Sequence, residues 1–205
     1  MATVKPNKLV LTYFPVPGRA GATRQALRYG KIEFEDRHVS GPDFAALKPT
    51  LPFGQVPVLD VDGVVLTQSN AQLVYAGRLA GLVPSDYLLE AQVHEVLNFT
   101  EDGISLVVPS IKETDEAKRL EMRKALSEPD SPLHKFLANV DRYLARNGKG
   151  TGWFVGDSLT VADLKADGVF KMLTSGALDG FPTTILDGYA AIQRNIAQTA
   201  AALKQ

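Results

Sequence analysis

The stretch LPFGQVPVLDVDGVVLTQSNAQLVYAGRLAG, Leu51 to Gly81, decides the fold. Two short β-rich runs, VPVLDV (56–61) and VVLTQ (64–68), meet at Asp62-Gly63. That dipeptide marks a two-residue hairpin, because such a turn needs positive φ at both central positions and Asp and Gly tolerate it. SNAQLVYAGRLAG (69–81) then reads as a helix with Gly81 as its C-cap. Toward the N-terminus, KLVLTY (8–13) is a strand, RAGATRQALRYG (19–30) an amphipathic helix, FEDRHV (34–39) a second strand and GPDFAALK (41–48) a short helix. The order βαβαββα is that of a small α/β domain.

From LVPSDYLLEAQ (82–92) onward the strand signals stop, and helical patterns are punctuated by EPDSP, NGKGTG and DGFP. The sequence therefore predicts an α/β domain over residues 1–82, a linker at 83–87 and an all-α domain over 88–205. The charged run KETDEAKRLEMRKALSE (112–128) mixes both signs at helical spacing and reads as a solvated helix face.

Composition narrows the function classes. With 22 basic against 23 acidic side chains the net charge is -1, which offers no long-range attraction to nucleic acid or anionic lipid. No apolar run approaches the roughly 18 residues of a spanning helix, and MATVKPNK leads only into a short strand, unlike a secretory or transit peptide. A cytoplasmic protein is expected. The sequon NFT at Asn98 falls in a helical run and reads as chance. There are no cysteines, so disulfides, thiolate metal sites and a cysteine nucleophile are excluded, and His38, His94 and His134 have no metal-ligand spacing and read as surface histidines. No metal is expected.

Several positions stand out. The first strand ends on a phenol, Tyr13, just before Pro15, Pro17 and Gly18 break it. Pro57 stands at a strand entrance, where a proline suits either a strand's first residue or a cis turn. Gln68 and Ser69 mark a strand-to-helix junction; unpaired N–H groups there suit a carboxylate, and a serine there also suits a plain helix cap. Thr160 and Asp163 form a capping box flanked by Leu159 and Leu164, a structural device rather than a catalytic acid, and Trp153, the sole tryptophan, reads as core.

Together LTYFPVPGRA, TLPFGQVPVLDVDG, LTQSNAQLVYAGRLAGL and WFVGDSLTVADL resemble, in order, the cytosolic glutathione transferases, and within them the sigma-type branch that includes the glutathione-dependent prostaglandin D synthases. The resemblance implies a thioredoxin-like N-terminal domain followed by an all-α C-terminal domain, glutathione as co-substrate, a hydrophobic electrophile and a homodimer. A thioredoxin-like domain without cysteines would take its thiol from glutathione. On this resemblance Tyr13 is the catalytic hydroxyl directed at the glutathione sulfur, with Arg19 adding positive potential and orienting it. Pro57 is the cis proline beside which the Val56 backbone pairs with the cysteinyl backbone. Gln68 and Ser69 hold the γ-glutamyl end; Lys48 and Phe44 lie at the glycyl end, and Gly54 and Gln55 line the groove. Asp102 of the partner subunit, with Glu101 as its neighbouring alternative, contacts the γ-glutamyl amine, and Phe53 is a candidate dimer contact. Phe14, Ser105, Pro109 and the C-terminal helix are expected around the second substrate.

The resemblance implies conjugation of glutathione to electrophiles, with isomerase or peroxidase chemistry on the same thiolate as the alternative. A non-catalytic ligand carrier or lens-type relative is the reading of another class, and retention of Tyr13, Gln68 and Ser69 argues against it. Two departures stand out: Phe44 lies where this branch often has tryptophan, removing an indole N–H donor, and Pro15 and Pro17 stiffen the turn after Tyr13.

Overall fold

The computed structural model describes residues 5–204, so the first four residues of MATVKPNK and the outermost ends of both expected domains lie outside the described residues. The chain divides into two compact units, one running to Pro84 and one from Ser85 onward.

In the first unit the elements follow as β1 (Leu9–Tyr13), α1 (Gly21–Tyr29), β2 (Glu35–His38), α2 (Gly41–Leu47), β3 (Val58–Val61), β4 (Val64–Leu66) and α3 (Ser69–Ala80), with single 3-10 turns at Gly18–Ala20 and Lys48–Thr50. This is the βαβαββα order of a thioredoxin-like unit. The sheet order is β2-β1-β3-β4, β1 running parallel to β2 and antiparallel to β3, and β3 antiparallel to β4. All five residues of β1 are buried, as a central strand covered on both faces requires. The edge strand β2 instead reads EDRH, and its charges keep that open edge from pairing with another chain. Helices α1 and α3 pack together, and at their ends Gly30 comes so close to Ala80 that an added Cβ would lie 2.8 Å from it.

The Asp62-Gly63 turn forms with φ of 50° and 91°, the positive values that two-residue hairpins need. It is tied down by Asp62, whose carboxylate accepts the backbone N–H groups of Asn7 (3.1 Å) and Lys8 (2.8 Å). Gly81 caps α3 with φ 73°, and Leu82 N–H reaches back to the Gly77 carbonyl at 2.7 Å.

The second unit is helical: α4 (Tyr87–Lys112), α5 (Glu116–Ser127), α6 (Pro132–Arg146), α7 (Val161–Thr174) and α8 (Ala190–Ala202). Its centre is α7, where ten residues, Val161 to Asp167 together with Val169, Phe170 and Leu173, are buried. Of the charges this buries, Lys165 pairs with Glu101 of α4 (2.5 Å) and Asp167 with Lys171 (2.6 Å). The Thr160–Asp163 capping box is present. Asp163 also accepts the Phe154 N–H (3.0 Å) and the Asn195 side-chain amide (2.8 Å), so it joins α7 to the preceding loop and to α8. Burial raises its pKa while those donors pull it down. Its partners are all structural.

Three sequence expectations need correction. Trp153 is only half-buried, and its neighbours Phe154 and Val155 fill the core instead, because the loop turns those two side chains inward. Arg123 of the charged α5 run points inward and is buried, donating to the Ser110 hydroxyl (3.2 Å) and pairing with Asp179. His134 is not a plain surface histidine, since its Nδ1 lies 2.7 Å from the Tyr189 hydroxyl.

Candidate functional site

The register of the sheet builds the site. Thr12 pairs with Val58 and Leu59 with Leu66, so the register extended by one step sets Tyr13 opposite Pro57, and extended by two steps sets Pro57 opposite Gln68. Tyr13 pairs with His38 on its other side. At a strand spacing of about 4.8 Å, Tyr13 and Gln68 stand roughly 10 Å apart across this row. The row lies where the antiparallel ladder ends; the Tyr13 carbonyl accepts the Val39 N–H at 3.0 Å.

At Tyr13 the chain leaves β1 and curls around the phenol. Gly18 has φ 38°, and a Cβ there would sit 2.7 Å from the Tyr13 hydroxyl oxygen. The loop can wrap this closely because position 18 carries no side chain. The Tyr13 hydroxyl accepts the Arg19 backbone N–H at 3.2 Å. Its own hydrogen is then available to donate, and accepting one bond strengthens the other. Phe14 packs edge-on against Tyr13 (5.4 Å between centroids) and against Phe44 (5.5 Å), so the structure brings Phe14 and Phe44 together, which the sequence placed at different ends of the site.

The Val56-Pro57 bond is cis. Gln72, buried on α3, donates its amide to the Pro57 carbonyl (2.8 Å) and the Leu66 carbonyl (3.0 Å), locking the start of β3 to the end of β4. Sequence reasoning missed this residue. The available signal was a glutamine one helical turn after Gln68 on an otherwise apolar face.

Gln68, not Ser69, is the N-cap of α3; it adopts φ 64°, rare for a non-glycine residue, and its side chain makes no capping bond. No acidic residue lies in the first turn, and Ser69 is buried as the first helical residue. The helix start thus presents N–H groups and a positive dipole end with no side-chain anion of its own beside them. Lys48, exposed at the end of α2, lies by Gly54, where an added Cβ would meet its side chain at 3.5 Å. Gln55 is exposed and Val56 half-buried, just ahead of β3.

On α4, Asp102, Ser105 and Pro109 are all exposed at a spacing of three and four residues, which puts them on one helix face. Glu101 is held by Lys165, leaving Asp102 as the exposed carboxylate of the pair. Pro109 has no N–H for the Ser105 carbonyl, so the ladder is interrupted between those two residues. The helical unit also holds a cavity of about 270 Å³ whose lining includes Phe99, Phe136, Tyr143, Phe154 and Phe170, with Glu95 at its polar side. Tyr143 donates to Glu95 (3.2 Å), and burial, with Glu95 adding to it, pushes its phenol up to about 12. None of the expected site residues lines this cavity.

Among the described residues no group of three His, Asp or Glu side chains gathers as a metal site, and no helix is long and apolar enough to cross a membrane.

A thioredoxin-like unit with a phenol at the sheet's end, joined to a helical unit, defines a class of glutathione-handling proteins, and the comparisons place the chain within it. The family model "Glutathione S-transferase, N-terminal domain" matches residues 9–78 and "Glutathione S-transferase, C-terminal domain" matches residues 101–203. The chain belongs to the glutathione S-transferase family. It is 36% identical over 155 residues to "Glutathione S-transferase 1" of Ascaris suum, covering 75% of this chain and 74% of that one. It is 34% identical over 157 residues to "Hematopoietic prostaglandin D synthase" of Gallus gallus, covering 77% and 75%. Among solved structures, the monomeric glutathione S-transferase Na-GST-3 of the hookworm Necator americanus superposes with a TM-score of 0.78 at 28% identity, covering 96% of this chain and 94% of that one.

Proposed function

We propose that the protein binds glutathione at the end of the β1–β3–β4 sheet, stabilises its thiolate with the Tyr13 hydroxyl and conjugates it to hydrophobic electrophiles. The observation that carries this reading is the Tyr13 hydroxyl itself, which accepts the Arg19 N–H and keeps its hydrogen to donate. A free thiol has a pKa of about 8.5, and being mostly ionised at neutral pH needs a fall of about 2 units, or roughly 2.7 kcal/mol. A hydrogen bond donated to the charged form supplies a shift of this kind, and a phenol, which stays protonated to about pH 10, is suited to donate it.

The remaining roles follow the row across the sheet. The Val56 backbone pairs with the cysteinyl backbone as an added strand. The γ-glutamyl carboxylate sits at the start of α3 beside Gln68 and Ser69, and the glycyl carboxylate takes the charge of Lys48, with Phe44, Gly54 and Gln55 along the groove. Arg19 adds positive potential near the sulfur. Phe14 is assigned to the electrophile in the first unit; Ser105 and Pro109 are assigned to it in the second. The resident compartment is proposed to be cytoplasmic, the domain limits 1–82 and 88–205.

A homodimer is part of the proposal. It is supported by Phe53, 64% exposed, and by an aromatic-lined cavity of the helical unit with room for such a ring from a second copy. Asp102, exposed on α4, is then the carboxylate offered across to the partner's γ-glutamyl amine.

The Tyr13→Phe variant tests the central claim. It is expected to bind S-methylglutathione as the wild type does and to ionise bound glutathione about 2 pH units higher, with turnover at pH 7 lower by roughly twenty-five-fold, the ratio of thiolate fractions for a pKa of about 8.5 against about 6.5. Unchanged turnover and titration would sink the assignment. The prostaglandin D synthase relative favours one second reading, an isomerase acting through the same thiolate. Product analysis with an aryl halide, a peroxide and prostaglandin H2 separates conjugation, reduction and isomerisation.

A further inference from the structure

We infer that Arg24, charge-balanced by Asp36, is a positioning residue for Tyr13, holding the loop that aims its hydroxyl; this rests on the thiolate chemistry proposed above. Arg24 lies on α1 and is 7% exposed. Its guanidinium donates to the Val16 carbonyl (2.6 Å) and the Phe14 carbonyl (3.1 Å), clamping the loop that follows Tyr13. Its Nε donates to both oxygens of Asp36 on β2 (2.9 and 3.0 Å), and the guanidinium carbon stands 5.8 Å from the Tyr13 ring centroid.

Two edges of one planar fork thus serve different parts of the site. One fixes where the chain turns after Tyr13, and with it the Arg19 N–H that the phenol accepts; the other anchors the fork to the strand beside β1. The cation, within about 6 Å of the ring centroid, is also attracted to the Tyr13 ring face, a contact of cation–π type. Lysine would keep the charge but not the fork, because an ammonium cannot hold two carbonyls and a carboxylate in one plane. Asp36 is in addition 3.5 Å from Arg28 and 3.5 Å from Nε2 of His38, while Arg37 beside them is paired with Glu35. These are the charged groups that face the pair.

The experiment measures the pH at which bound glutathione ionises, by ultraviolet thiolate absorbance, with kcat and KM, in wild type, Arg24→Lys, Tyr13→Phe and the double variant. Arg24→Lys is expected to raise the thiol pKa by about one unit, from about 6.5 to about 7.5, and lower kcat at pH 7 about threefold, the fall in thiolate fraction, with KM for glutathione changed less. In the Tyr13→Phe background the same substitution is expected to shift the pKa no further, because its effect runs through the hydroxyl; a merely structural arginine would act equally in both. A wild-type protein that fails to ionise glutathione overturns the thiolate reading. A wild type that does so, with Arg24→Lys matching it or shifting both backgrounds alike, overturns the role of Arg24 alone. Should Arg24→Lys not fold, Asp36→Asn loosens the anchor at constant volume and is expected to speed hydrogen exchange of the Arg19 amide several-fold; unchanged exchange overturns the proposal.

Discussion

Gly18 and the Tyr13 hydroxyl lie in such close approach that one methyl group on Gly18 would reach to 2.7 Å of the phenol oxygen. Position 18 is therefore part of the shape of the site although it offers no chemistry. The Gly18→Ala variant must either displace the phenol or open the loop, and at φ 38° it adds backbone strain of about 1 kcal/mol. Turnover is expected to fall at least tenfold while circular dichroism stays that of the wild type. Full activity in a folded variant would show that the hydroxyl need not stay where it is.

Gln72 donates to the Pro57 and Leu66 carbonyls at the end of the sheet. Replacing it with leucine keeps bulk and removes both bonds, at a cost of about 1–3 kcal/mol. Urea unfolding is expected to shift its midpoint accordingly, with a parallel rise in KM for glutathione. A stable variant with a normal midpoint contradicts the role assigned here.

The Tyr143 phenol is pushed up to about 12, first by burial and then by Glu95. A folded-state pKa above the unfolded value of about 10 means that its contribution to stability is fully present below pH 10 and is lost as pH rises through about 12. Ultraviolet titration of the folded protein is expected to show a late-ionising tyrosine that disappears in Tyr143→Phe, and that variant should lose less stability in strong alkali than the wild type. A titration identical in both proteins rules this out.

Phe53 exposes 64% of its surface, more than an isolated subunit gains by. If a second copy covers it, Phe53→Ser should convert a dimer to a monomer in sedimentation equilibrium without unfolding either unit. A wild-type protein that sediments as a monomer, as the hookworm relative is described, removes the dimer and with it the cross-subunit role of Asp102.

The fold was legible because its decisive signals are local. Val56 to Gln68 carries alternation and an Asp-Gly turn, and the shift from strand to helix periodicity after Leu82 needs no distant partner to be seen. Tyr13, Pro57, Gln68 and Ser69 were legible too, as breaks in those same patterns. Arg24, Gln72 and Arg123 were not, because each reads as a solvent-facing polar residue of an amphipathic helix until a partner 6 to 56 residues away turns it inward. The aromatic contact of Phe14 with Phe44 was hidden for the same reason, since the helix and strand between them decide it. Local pattern fixes which elements form; buried polar side chains report on long-range geometry that one sequence does not display.

The Asp62-Gly63 turn lies at the other end of the hairpin from Pro57 and Gln68 and touches neither in the ladder. Yet a hairpin has side chains alternating with period two, so the length of its turn sets which residue faces which along both strands. The two-residue turn is thus the measure by which Gln68 is counted into place opposite Pro57. The spacing of the candidate binding row is written at the far end of the sheet, in a dipeptide that has no chemistry to contribute to it.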